Sequence, residues 1–308
     1  MADVQAALNS GLDVVVPSGI TWTLDSSLSI PSGRTLANSG TIQNTGGTTI
    51  TNAGTITNNS GGTITNAATV NNNGAITNNS GGTINNVGSG TITNNSGGTI
   101  TNSGTITNDD NGAITNSGTI TNNASGTIIN TNVSGSDEAT ITNNSGGIIT
   151  NYGAIDNEGA ITNNSSPGTT CSAGNGQNSD GTGCTAINNK GAITNNGGYI
   201  SNYGVIDNNH IVDAVSFGNI TNNGGTIVNN SGGYIFNTAG GTITNNSGST
   251  IGNMYFIFIF GAIHNDGTFD NNSGGYIQCS GCSCSGSSAV SGTAVSGTTA
   301  SGQACLAS

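Results

Sequence analysis

The stretch Thr49-Ile50-Thr51-Asn52-Ala53-Gly54-Thr55-Ile56-Thr57-Asn58-Asn59-Ser60-Gly61-Gly62-Thr63-Ile64-Thr65-Asn66 states one four-residue phrase three times. Each phrase sets an apolar Ile between two Thr, the alternation of a short strand with one buried face, and is too brief for a helix. Thr then faces out and Ile faces in. The Asn that follows is on the inward parity or already at the corner. Asn and Gly tolerate the left-handed backbone that a sharp turn requires, so the linking residues are corners between strands.

Outward from this stretch, Thr/Ala-Ile-Thr-Asn returns from Thr41 to about Ile251. The apolar marks at Ile42, Ile50, Ile56, Ile64, Val70, Ile76 and Ile84 are spaced by 6 or 8 residues, so three phrases and three corners close a coil of 20 or 22 residues. The expected fold is therefore all-β, a single three-sided parallel β-solenoid. Coils about 4.8 Å apart pair each strand with its equivalents above and below, Ile on Ile and Asn on Asn. An inward Asn column would satisfy its amides along the stack. The expected organisation is a cap and first coils over 1–40, the repetitive solenoid over 41–278 with a corner insertion at 165–185, and a Cys/Ser/Gly-rich tail over 279–308.

Composition excludes several classes of function. Charged residues are only 5% of the chain, too few for an ordinary globular surface, while the recurring Ile and Thr argue against a solvated disordered chain. Two basic residues against 14 acidic ones leave a net charge of −12 and no cationic surface for phosphates, so no nucleic-acid partner is expected. The longest apolar run, Met254 to Phe260, is far short of the about 20 residues of a spanning helix, and no membrane insertion is expected. The start, Met1-Ala2-Asp3-Val4-Gln5, lacks the basic and apolar regions of a secretory signal. An even number of cysteines, Cys171, Cys184, Cys279, Cys282, Cys284 and Cys305, favours disulfides and an extracellular or cell-surface location. The spacing Cys279-x-x-Cys282-x-Cys284 also admits zinc, the weaker of the two readings because no histidine is near.

The first forty residues differ from the repeat. Asp3 to Asn9 has helical spacing, with Val4, Ala7 and Leu8 placed to cover the open end of the stack. Val14-Val15-Val16-Pro17-Ser18-Gly19, Trp22-Thr23-Leu24 and Leu28-Ser29-Ile30-Pro31-Ser32-Gly33 follow. A short helix, an apolar strand into Pro-Ser-Gly and further strands into a second Pro-Ser-Gly resemble the opening coils of pectin-lyase-like β-helices, including phage tailspikes. That resemblance covers about residues 2–45 and implies a right-handed coil and contact with polysaccharide. The Gly-Thr-Ile-Thr-Asn phrase beyond it resembles the repeats of large bacterial and viral surface adhesins.

Enzymes of that resembled fold need clustered acids or a basic group on neighbouring coils. Here Asp156 with Glu158, Asp207 with Asp213, and Asp266 with Asp270 are the pairs on offer, and spacing forces none of them together. His210 and His264 fall outside the regular phrase and read as solvent-facing. No catalytic residue, metal site or cofactor is expected.

The leading expectation is a structural subunit of an extracellular filament or fibre that associates with itself. Its interface candidates are Tyr255, Phe256, Ile257, Phe258, Ile259 and Phe260, since half of an apolar strand would point outward. The alternative is a glycan- or receptor-binding adhesin with Tyr199, Tyr203 and Phe217 as ligand-surface candidates. A third, ice binding, would use the outward Thr pairs, but these occur on all three sides where an ice face should be confined to one. Asn-Asn-Ser at Asn58, Asn78, Asn94, Asn143 and Asn245 also reads as a glycosylation sequon, which a repeated corner generates without selection for sugar.

Overall fold

A computed structural model describes residues 2–131, 139–144, 147–151, 154–157, 160–163, 186–189, 192–196, 199–202, 205–208, 219–231, 233–237, 240–271, 275–280, 283–285, 290–292 and 295–298. They form a right-handed parallel β-solenoid with one short helix at its start. The chain divides into two compact units, Met1–Thr142 and Asn143–Ser308.

In the first unit each phrase is a strand of four or five residues, and successive strands go to three faces in turn. The first face stacks Thr35–Asn38, Thr55–Asn58, Ala75–Asn78, Thr99–Asn102 and Thr119–Asn122 in parallel, Ile56 on Ile76 on Ile100 on Ile120. Alternation puts Ile and Asn inside and leaves Thr half-buried outside. Coils run to 24 residues between Asn78 and Asn102 as well as the 20 and 22 expected, because the corners between Asn38 and Thr127 are two or four residues long.

The Asn belongs to the core. Asn58 has 0% exposure, and its Nδ2 donates to Asn78 Oδ1 at 2.8 Å, to the Gly62 carbonyl at 3.0 Å and to the Thr83 carbonyl at 3.0 Å. The column continues from Asn38 to Asn58, Asn78 to Asn102, and Asn102 to Asn122, all at 2.7–2.8 Å. Its equivalents on the other faces run from Asn44 through Asn66, Asn86 and Asn108 to Asn130, and from Asn52 through Asn72 and Asn94 to Asn116. The amide is held to the corner as well as to its neighbour, so the phrase and its turn fold as one piece.

The corner Asn59-Ser60-Gly61-Gly62 depends on glycine twice. Gly61 has φ +77°, and a Cβ on Gly62 would lie 2.6 Å from Asn58 Oδ1. Side chains are excluded at the first by conformation and at the second by the packed amide.

The first rungs need donors from elsewhere. Asn38 Oδ1 accepts from the Gly40 amide, and Asn44 Oδ1 from the Thr48 hydroxyl at 2.6 Å. Below Asn52 lies Ile30, and Asn52 Oδ1 is buried with no donor, which costs about 1–3 kcal/mol.

The helix Ala2–Asn9 covers the first coil, with Leu8 buried and the helix packed on Val14–Val16 and Leu28–Ile30. Gln5 pairs with Ser29 as a strand would: its Oε1 accepts from the Ser29 amide at 2.8 Å and its Nε2 donates to the Ser29 carbonyl at 2.9 Å. One side chain thereby closes part of an open sheet edge.

In the second unit the same three faces recur. The first carries Ile148–Asn151, Ala186–Asn189, Val205–Asn208, Tyr234–Asn237, Phe256–Ile259, Tyr276–Ser280 and Val295–Thr298. Asn151 donates to Asn189 at 2.9 Å although they are 38 residues apart, and Asn157 and Asn163 reach Asn195 and Asn202 likewise. Strands on either side of the 165–185 insertion are thus in register with each other. Within the tail over 279–308, Ser283–Ser285, Val290–Gly292 and Val295–Thr298 are further parallel strands of the same three faces.

Candidate functional site

The second unit departs from the threonine pattern on its first face. Val205, Tyr234, Phe256 and Tyr276 share one outward register column; Asp207, Phe236, Phe258 and Gln278 share the next. Tyr234 and Phe256 stack with centroids 5.6 Å apart, Phe236 and Phe258 at 5.0 Å, and the two columns lie 5.8–5.9 Å from each other with all four rings within 8° of parallel. The cause is backbone geometry. Parallel strands about 4.8 Å apart hold in-register rings at stacking distance, and residues two apart on a strand place the columns side by side. Such pairs add about 0.5–1.5 kcal/mol each beyond burial.

Tyr255, at the corner before this strand, stands edge-on to Tyr234 at 5.2 Å and to Phe256 at 4.6 Å. Tyr276 meets Phe256 at 5.5 Å and 61°. Burial, then a hydrogen bond with Tyr255 and the proximity of that phenol, pushes the Tyr234 phenol up to about 12. Val205 and Phe236 are buried despite their outward parity, whereas Phe260, just past the strand, is 42% exposed. The face presents ring edges and phenols, and it can make apolar contact.

Of the interface candidates, Ile257 and Ile259 are corrected. Strand alternation turns them inward, at 1% and 0% exposure, and Ile259 takes the place of the ladder Asn above Asn237. Tyr255, Phe256, Phe258 and Phe260 remain outside, and the structure adds Tyr234 and Phe236. Tyr199 opens the strand Tyr199–Asn202, in register with Ala160 and Thr226, while Tyr203 and Phe217 lie outside the described residues. Cys279 and Cys284 have register with Ile259 and Ile263; Cys171, Cys184, Cys282 and Cys305 lie outside the described residues, as does His210.

A second polar group sits on another face. His264 Nε2 lies 2.8 Å from Asp266 Oδ2 and its Nδ1 lies 2.9 Å from Ser285 Oγ. His264, expected simply to face solvent, ties its own corner to the strand Ser283–Ser285. Asp266 therefore meets His264 rather than Asp270, which is on the strand Thr268–Asn271 of the next face. The trio lies half-open to water on a sheet surface, where solvent competes for each bond. Among the described residues no three His, Cys, Asp or Glu side chains gather as a metal site.

No protein-family model matches the chain, and no curated protein matches it. Among solved structures it is similar to a TibC-catalysed, hyper-glycosylated fragment of TibA, with 19% identity over 92% of this chain and 99% of that one and a TM-score of 0.22. So low a superposition score transfers nothing of that protein's biology to this chain.

Proposed function

We propose that the chain is a structural subunit of an extracellular filament or fibre, and that its lateral contacts with further copies are made by the aromatic face around Phe256 and Phe258. The observation that carries this is the outward tile of Tyr234, Phe236, Phe256 and Phe258, with exposed Phe260 beside it, on a face whose outward positions in the first unit are mostly threonine. Apolar surface of this kind is uncommon on soluble monomers and marks contact sites. The helix over the first coil, with Gln5 on the Ser29 backbone, occupies an edge that another chain would otherwise extend, which favours contact through sides over contact through that end. No catalytic step, cofactor or nucleic acid enters the proposal, and the remaining surface is scaffold.

Electron micrographs and sedimentation of the purified chain test it. Wild type is expected to assemble, and Phe256→Ser with Phe258→Ser to stay monodisperse with an unchanged β-sheet circular dichroism spectrum. A wild-type chain that is monodisperse at high concentration sinks the filament.

An adhesin is the second reading, favoured by the hydrogen-bonded phenols of Tyr234 and Tyr255 at the edge of the tile, a pairing of apolar wall and hydroxyl that suits a polysaccharide or cell-surface receptor. A glycan array with hits lost in Phe258→Ser supports it, and an array without hits removes it. Ice binding gains no face of its own: outward Thr pairs such as Thr55 and Thr57, Thr105 and Thr107, and Thr91 and Thr93 occupy all three faces of the first unit.

A further inference from the structure

The ladder asparagines are also the acceptor positions of Asn-Asn-Ser sequons. Asn58, Asn78, Asn94, Asn229 and Asn245 each head one, closed by Ser60, Ser80, Ser96, Ser231 and Ser247. The corner serines at 60, 80 and 96 are exposed, so the sequence looks like a surface acceptor. All five acceptor amides have 0% exposure.

We propose that N-linked glycosylation and folding exclude each other at these positions, so that the chain reaches its fold only where it is not first modified by an oligosaccharyl transferase that reads Asn-x-Ser/Thr. Transfer from a lipid pyrophosphate-linked oligosaccharide forms a bond from Nδ2 to the anomeric carbon. It breaks that carbon's bond to the pyrophosphate oxygen, and the lipid pyrophosphate leaves as one Nδ2 proton is lost. In the ladder both Nδ2 hydrogens are in use. Asn58 Nδ2 has three acceptors within 3.0 Å: Asn78 Oδ1 and the carbonyls of Gly62 and Thr83. Asn78, Asn94, Asn229 and Asn245 repeat the arrangement with Asn102, Asn116, Asn253 and Asn265.

Space decides as firmly as hydrogen bonding. A single methyl on Gly62 would lie 2.6 Å from Asn58 Oδ1, and one on Gly82 equally close to Asn78 Oδ1. A sugar on the neighbouring nitrogen needs far more room than a methyl, and it would also cut the column at that rung. The folded chain is therefore not an acceptor at these sites, and a chain modified there beforehand cannot close the coil.

Two described sequons lie off the ladder: in Asn123-Ala124-Ser125 the acceptor is half-buried and its Nδ2 donates to Ser103 Oγ at 2.7 Å, whereas the other acceptor is exposed. In Asn219-Ile220-Thr221 the acceptor opens a strand with an exposed side chain, in register with Ala192 and Thr242, and only its backbone carbonyl is used, by Asn189. A glycan on Asn219 is compatible with the fold.

The test is translation of the full chain, directed by an added leader into membrane vesicles that hold the transferase, with and without an inhibitor of lipid-linked donor synthesis. Products are divided by protease resistance and the sites mapped by mass spectrometry. Ladder glycans are expected only in the sensitive fraction and the Asn219 glycan in both, with the resistant fraction rising several-fold when donor is withheld. Replacing the serine of every Asn-Asn-Ser sequon, by Ser60→Ala, Ser80→Ala, Ser96→Ala, Ser145→Ala, Ser165→Ala, Ser231→Ala, Ser247→Ala and Ser273→Ala, leaves every ladder amide intact and is expected to restore resistance with donor present. A resistant chain with sugar at any of the five ladder positions overturns the proposal, and so does a resistant fraction that is unchanged by donor withdrawal. Absence of the Asn219 glycan from resistant chains, when sensitive chains carry it, overturns the assignment of that site.

Discussion

The first face of the first unit and the first face of the second share a backbone and differ in almost every side chain. In one, Thr55, Ile56, Thr57 and Asn58 lie in register with Ala75, Ile76, Thr77 and Asn78; in the other, Tyr234, Ile235, Phe236 and Asn237 lie in register with Phe256, Ile257, Phe258 and Ile259. Strand pairing and the Ile column are common to both. The amide rung gives way to Ile259, and the hydroxyls outside give way to rings. Backbone pairing and one apolar column are thus sufficient to stack the coils, which leaves the outer positions free to vary. Where they vary most is where a partner would be met.

The largest effect is expected inside the regular ladder. Asn78→Leu leaves Asn102 Oδ1 without its donor, at about 1–3 kcal/mol, and also takes the side-chain bond from the Gly82 and Thr105 carbonyls, so urea unfolding should show a loss larger than that of the orphaned oxygen alone. Ile76→Ala in the adjacent column should cost about 2–5 kcal/mol by the same measurement. A smaller loss is expected for Asn52→Leu, since it orphans Asn72 Oδ1 but removes the undonated Asn52 Oδ1. If the two asparagine variants cost the same, the ladder is not where the stability lies.

Phe258→Ser on the outer face should change stability by only about 0.5–1.5 kcal/mol per lost ring contact while changing association, which sedimentation reads separately. The smallest effect is alkaline. The Tyr234 phenol has a folded value raised from 10.0 to about 12, so its contribution to stability is complete below pH 10 and fades as pH rises through about 12. Phenolate absorbance should show a late-titrating component that is lost in Tyr234→Phe, and Tyr255→Phe, which removes the hydrogen-bond partner, should bring that component earlier.

Much of this was legible from the repeat. Ile between Thr fixed the strands, and two- and four-residue corners fixed the three-sided coil. The Asn remained double in meaning, because inward parity and corner preference both suit it; only its 0% exposure shows that it serves the core and the corner at once. Tyr234 and Phe236 were missed because their partners lie one full coil away, past corners of unequal length, so no local period joins them to Phe256 and Phe258. His264 and Ser285 escaped for the same reason, being 21 residues apart with one of them in a stretch that reads as loose tail. The repeat marks what every coil does, and a pair that occurs once leaves no period to find.

Every rung described above donates from the earlier asparagine to the later one, Asn38 to Asn58 to Asn78 and onward. The columns therefore have a direction, the same as that of synthesis. A chain emerging from the ribosome leaves at its newest complete coil a row of amide N–H groups awaiting acceptors, and the next phrase brings the carbonyls. Each finished turn is a template for its successor, so assembly can advance like a zipper from the helix-capped start without waiting for the far end to be made.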